Sequence, residues 1–195
     1  KINEILPDPE GTDDGFEFIE LYNTSGDDLS IEGWSIATGT SSWPSAAGFN
    51  FPAGASIPAG GFVVVAGPEV EGVDFYTDEE QKFSLGNGSS APDGVRLQDC
   101  LGGVQDTVLY GDPADPIEDV ELEDDRGLST MATMPEEGLT MGRHPNGQDS
   151  DGNAVDFVSN TTPTPGAPNA RSAEDDAESD GSEGDADGDI FDPGS

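Results

Sequence analysis

An all-β fold is what this sequence predicts, on three observations. Helical periodicity is nearly absent along the chain. Fifteen prolines and 27 glycines cut it into short runs, and those runs are rich in β-branched and aromatic residues. Their spacing is that of a β-sandwich, with strand candidates at residues 2–6, 16–23, 29–36, 61–67, 94–99, 104–111 and 155–159.

The first run, INEIL, is mostly apolar. The second, FEFIELYN, sets Phe16, Phe18 and Tyr22 on one side and Ile19 and Leu21 on the other. Both sides therefore need cover, which places this strand in the middle of a sheet. LSIEGWSI follows, with Trp34 expected against the core and Trp43 in the crossover after it. In FPAGASIPAGGF, Pro52 and Pro58 cannot donate to a ladder, so this stretch carries the chain between sheet edges. In VRLQD, Val95 and Leu97 alternate with Arg96 and Gln98, one face in the core and one in water. DCLGGVQD joins two strands, and its Gly102-Gly103 pair supplies the positive φ of a tight hairpin. Cys100, beside that turn, is expected as a half-buried small side chain. As the one cysteine of the chain it allows no internal disulfide.

Residues 112–138 then interrupt the spacing with a long acidic insertion, too long for an ordinary connection. Beyond Asn169, residues 170–195 form an acidic, Gly/Asp-rich arm with ten acidic residues and one arginine. Its composition cannot bury a core. The expected organisation is one domain over residues 1–169 and an arm or linker after it.

Forty-two acidic residues stand against six basic ones, a net charge of −36. Such a field repels free nucleic acid and anionic membrane surfaces and attracts cations. Acids crowd even the first strands, and lysine is scarce, a composition like that of proteins from high-salt environments, where repulsion is screened over a few ångströms. No apolar run approaches the roughly 20 residues of a membrane span, and no charged-then-apolar leader is present. The chain opens directly on a strand without an initiator methionine, as expected of a processed product or a piece of a longer chain.

INEILP, EFIELYN, LSIEGWSI with Gly33-Trp34, FPAGASIPAGGFVVVA, DGVRLQDCLGGVQDTVLYG, GLTMGRHPNGQDSDGNAVDF and the closing TPTPGAPN follow one another along the chain. In that order they resemble the lamin-tail domain, an immunoglobulin-like β-sandwich. The resemblance covers residues 1–169 apart from the insertion. It implies a non-catalytic interaction or architectural module, of a kind that in prokaryotes accompanies nucleases, other hydrolases or surface anchors. It brings no catalytic residues with it. The closing TPTPGAPN has φ preset at Pro163, Pro165 and Pro168, and is expected to lie as a lid along an open sheet edge.

The sharpest chemical signal is a repeated spacing. DSDGN (149–153) and DADGD (185–189) share the pattern Asp-x-Asp-Gly-Asn/Asp, each with a further Asp three residues on. Oxygens that alternate on a glycine turn suit Ca²⁺. The candidate ligands are Asp149, Asp151, Asn153 and Asp156, and in the arm Asp185, Asp187, Asp189 and Asp192. The match to a helix-loop-helix calcium loop is incomplete, because the glycine sits early and the closing glutamate is missing. Asn and Asp also favour turns on their own account. His144, the only histidine, has no sequence partners for a triad or a zinc site, and the expectation is that the chain is not an enzyme. Three sequons, at Asn23, Asn87 and Asn160, are candidate glycosylation sites on an exposed protein. Ile190 and Phe191 are an isolated apolar pair in the arm, suited to docking on a partner.

The leading expectation is therefore a non-catalytic extracellular or cell-surface module, architectural or adhesive. It binds itself or another surface protein through the arm, and calcium and other cations neutralise it. The alternatives are an accessory domain that anchors or presents a larger secreted hydrolase or nuclease, and a glycan-binding module.

Overall fold

The computed structural model describes residues 1–39, 48–78, 80–82, 85–87, 93–111 and 131–169. Trp43, most of the insertion and the entire arm lie outside the described residues. Asp185, Asp187, Asp189, Ile190, Phe191 and Asp192 lie there too.

The elements are β1 (Ile2–Leu6), β2 (Phe18–Tyr22), β3 (Leu29–Ser30), β4 (Ser35–Gly39), β5 (Gly48–Asn50), β6 (Ser56–Ile57), β7 (Phe62–Ala66), β8 (Phe75–Tyr76), β9 (Asp93–Gln98), β10 (Val104–Tyr110), β11 (Thr140–Arg143), α1 (Asn153–Asp156) and β12 (Phe157–Thr161). One sheet runs β12-β11-β1-β2-β7-β8, a second β10-β9-β4-β5, and β3 pairs with β6. The core lies between the two larger sheets. Ile2, Ile5, Ile19, Leu21, Val63 and Val65 from the first belong to one buried cluster with Ile36, Phe49, Val95, Leu97, Val108 and Tyr110 from the second. Trp34 packs against it partly buried.

β2 pairs with β1 on one side and β7 on the other, the central place expected for it. Ile19 and Leu21 face the core, while Phe18 joins Leu6, Val64 and Ala66 in a second cluster. Phe16 lies before the strand and is exposed.

Several boundaries differ from the sequence expectation. Residues 29–36 are two strands in different sheets, because the chain turns between them. Trp34 N–H donates to the Ile31 carbonyl at 3.0 Å, and Gly33 takes φ +73°. The expected strand at 155–159 begins as α1 and becomes β12 only at Phe157. β5, β8 and β11 had no sequence signature: the first two are very short, and β11 contains Gly142 and Arg143. In the β9–β10 hairpin only Gly102 takes a positive φ, +82°. Asp99 closes the turn by accepting from Leu101 N–H at 2.8 Å and Gly103 N–H at 2.9 Å. This lifts the tip into solvent, so Cys100 is exposed, not half-buried.

Residues 131–138, the end of the expected insertion, join the edges of the two sheets. Ala132 N–H donates to the Leu109 carbonyl at 2.8 Å beside β10, and Glu136 N–H donates to Asn160 Oδ1 at 2.8 Å on β12. The Ser159 hydroxyl also donates to the Thr133 carbonyl. Both strands are thereby denied to a foreign strand over these positions.

Candidate functional site

The outer face of the six-stranded sheet carries two buried carboxylates on its central strands. β1 has a bulge between Ile2 and Glu4, and this sets Glu4 directly opposite Glu20 of β2. Both are fully buried. What buries them is the segment after β12. Thr164 N–H donates to Glu4 Oε1 at 3.0 Å, and the Thr164 hydroxyl to Glu4 Oε2 at 3.1 Å. Gly166 N–H donates to Glu20 Oε2 at 2.7 Å. From the sheet, the Thr140 hydroxyl holds Glu4 at 2.7 Å and Asn3 Nδ2 holds Glu20 at 2.8 Å.

TPTPGAPN is thus a strap across the middle of a sheet face, not a lid on a sheet edge. Its N–H groups bond side-chain carboxylates instead of a backbone ladder, and that draws it inward from the edge. Burial raises the pKa of Glu4, and it raises Glu20, with Glu4 and Asp74 nearby, to about 8.

The strap ends in a plug. Asn169 Nδ2 donates to the Asn3 carbonyl at 3.0 Å and the Arg143 carbonyl at 2.9 Å, while its own N–H donates to Asn146 Oδ1 at 3.0 Å. The space it fills exists because residue 142 is glycine: a Cβ there would stand 2.6 Å from Asn169 Nδ2.

At the adjoining end of the sheet Arg143 is fully buried. One terminal nitrogen reaches Asp106 Oδ1 at 3.0 Å and Oδ2 at 3.2 Å. The other reaches the Gln148 carbonyl at 2.6 Å and Asp156 Oδ2 at 3.3 Å, and Nε donates to the Ile2 carbonyl at 2.8 Å. The guanidinium carbon lies 4.6 Å from the centre of the Phe157 ring, a cation–π contact. A planar five-donor group fits this site, and an ammonium does not.

The loop expected to hold calcium wraps this arginine. Asp156 is buried and accepts from Ser150 N–H at 2.7 Å and the Ser150 hydroxyl at 2.8 Å as well as from Arg143. Asp149 pairs with Lys1 Nζ at 2.6 Å and Arg143 at 3.5 Å. Burial opposes its charged form, but those two cations hold its carboxyl below the usual range. Asn153 turns toward β10, donating to the Thr107 carbonyl at 3.4 Å, and Asp151 is exposed with φ +58°. Two of the four residues therefore converge, and they converge on the chain's own cations. Among the described residues no three His, Cys, Asp or Glu side chains gather as a metal would need.

The sequons separate clearly. Asn23 is buried, its Nδ2 donating to the carbonyls of Asp27, Ile57 and Pro58, so the folded domain does not present it. Asn87 Nδ2 lies between Asp8 Oδ1 at 3.1 Å and Asp13 Oδ2 at 3.4 Å. Asn160 is exposed. A cleft of about 520 Å³ opens elsewhere, lined among others by Asp13, Asp14, Glu17, Asp78, Lys82 and Leu85. Glu17 accepts from Leu85 N–H at 3.0 Å, and burial, reinforced by Asp13 and Asp14, raises its pKa to about 8.

Sequence reasoning missed Glu4, Glu20, Asp106, Arg143 and Asn169. A signal existed for Glu20, a lone carboxylate in the otherwise apolar FIEL; Glu4 stands beside the polar Asn3 in INEI and is less marked. Arg143 is one of only four arginines in so acidic a chain, and acids at 149, 151 and 156 follow it closely.

Two sheets packed face to face on an apolar core, with a C-terminal strap fastened to polar groups of the six-stranded one, make an immunoglobulin-like β-sandwich module. The family model described as Lamin Tail Domain matches residues 1–112, and the chain belongs to that family. No curated protein matches it. β11, β12 and the strap lie beyond the matched span but complete the same sheet, since β11 pairs with β1.

Proposed function

We propose that this chain is a non-catalytic architectural or adhesive module of the cell exterior that assembles with copies of itself, or with another surface protein, through the acidic arm. The observation that carries this reading is how the buried polar side chains are used. Glu4, Glu20 and Asn169 hold the strap, and Arg143, Asp106 and Asp156 hold the loop between β11 and β12. Their work is structural, in keeping with a family whose members are typically non-catalytic. The exterior is left with a large excess of carboxylate, which only cations or a complementary partner neutralise. Because Arg143 and Lys1 already serve the loop acids, calcium in this reading acts on the arm, at Asp185, Asp187, Asp189 and Asp192. Ile190 and Phe191 between them supply the apolar contact.

Light scattering on the full chain, with calcium and with chelator, tests the reading. Assembly with calcium, dissociation on chelation and a folded monomer after deletion of residues 186–195 are expected. A full chain that stays monomeric at every calcium concentration, or a truncated chain that assembles unchanged, would overturn it.

One observation favours a second reading, glycan binding. The exposed rings of Phe16 and Tyr76 are sequence neighbours of Gly15, Glu17 and Thr77, which line the acidic cleft. Aromatic faces beside hydrogen-bonding side chains suit a sugar ring. Binding of an oligosaccharide from a glycan array that is lost in Tyr76→Ala, with the fold intact, would support it.

A further inference from the structure

Asn160 sits where β11 and β12 slip out of register: Thr140 pairs with Thr161, and Met141 with Ser159. Asn160 is thus the extra residue of a β-bulge on the edge strand of the six-stranded sheet, with φ +62°. A bulged residue has no cross-strand partner, and the left-handed backbone is one that asparagine tolerates better than most side chains. Its Oδ1 accepts from Glu136 N–H at 2.8 Å, which fixes the amide plane. No hydrogen bond from Nδ2 is made among the described residues, and both Asn160 and Thr162 are exposed.

These features set it apart from the other two sequons. Asn23 is 2% exposed and spends its Nδ2 on three carbonyls. The Asn87 amide lies between two carboxylates. The bulge has a structural use for its asparagine, but that use needs only Oδ1 and the backbone, and leaves the nucleophilic nitrogen outward.

We infer that Asn160 is the N-glycan acceptor of this chain. The inference rests on the exterior location proposed above. A membrane-bound transferase supplies a polyprenol-phosphate-linked oligosaccharide. Asn160 Nδ2 forms a bond to the anomeric carbon of the first sugar, the bond from that carbon to the phosphate oxygen breaks, and the lipid phosphate leaves with the electron pair while the amide loses one proton. The Thr162 hydroxyl is the recognition group of the sequon Asn160-Thr161-Thr162. Oδ1 keeps its bond to Glu136 throughout, so the bulge is undisturbed. The glycan then stands at the edge of β12, beside the junction that Thr133 and Glu136 already make with that strand.

The test is made on the full chain from its own cells, with the cell fraction of the protein determined separately. Mass spectrometry of the peptide containing Asn160 should show a glycan, and the peptide containing Asn23 should not. Thr162→Ala removes the sequon without touching Asn160 or the bond from Glu136 N–H to its Oδ1, and should abolish the glycan while the protein stays folded. Thr162→Ser should restore it. Unmodified Asn160 on protein recovered from the cell exterior overturns the acceptor assignment alone, as does glycan on Asn23 or Asn87 in its place. Protein recovered only from the interior overturns the location, and the assignment with it.

Discussion

The plug at the end of the strap allows a quantitative test through Gly142→Ala. The new Cβ would stand 2.6 Å from Asn169 Nδ2 and 2.8 Å from its Cγ, so the amide must leave its hole. It then loses its bonds to the Asn3 and Arg143 carbonyls, and the strap end loses its backbone bond to Asn146. At about 1 kcal/mol for each bond this costs about 3 kcal/mol, and the stiffer unfolded chain of an alanine returns about 0.5–1 kcal/mol. The net loss of about 2 kcal/mol is read by urea unfolding at fixed high salt, or as a fall in Tm of roughly 4–8 °C. Asn169→Ala should cost a similar amount. In that background Gly142→Ala should cost nothing further, because the space is already empty, giving a coupling of about 2 kcal/mol. Additive effects of the two substitutions, or a neutral Gly142→Ala, would refute the plug.

Three other outcomes follow from the same geometry. Arg143→Met leaves Asp106 and Asp156 buried without their partner and should cost about 3–5 kcal/mol in the same unfolding assay; Arg143→Lys should not rescue it, since an ammonium cannot serve all five acceptors. Glu17 and Glu20 titrate at about 8 when folded against an ordinary 4.5, so the folded chain holds protons that the unfolded chain releases. The stability contributed by these two groups should therefore be complete below about pH 4.5 and fall by on the order of 1 kcal/mol per pH unit per group up to about pH 8, and Glu20→Gln should flatten that slope in pH-dependent denaturation. Asn160→Gly accepts the φ of +62° freely and should be more stable than Asn160→Ala by about 1 kcal/mol, measured by thermal unfolding.

The sandwich was legible in the sequence where one face is apolar and the other polar, as in VRLQD, and where both faces are apolar, as around Phe18 and Ile19. Periodicity failed where the fold is set by side-chain bonds of long sequence separation. Nothing local in TMGR marks a strand. Its place follows from Arg143 reaching Asp106 and from Gly142 admitting Asn169, partners that are distant in the chain. The strap was recognised from its prolines, but its seat was not, because a glutamate inside a strand looks the same from the sequence whether it meets water or a backbone N–H. The Asp-x-Asp-Gly-Asn pattern of the loop suits an external cation by its oxygens. Composition alone cannot tell that case from one in which the cation is an arginine six residues upstream of Asp149.

The means by which the strap is fixed also separates two scales of behaviour. Its contacts to Glu4 and Glu20 run from neutral N–H and hydroxyl donors with no basic side chain opposite, so dissolved ions have no pair there to weaken. The repulsion between the molecule's outer carboxylates, by contrast, rises and falls with the salt concentration around it. A change in salinity therefore alters how closely neighbouring copies approach while leaving each fastened as before.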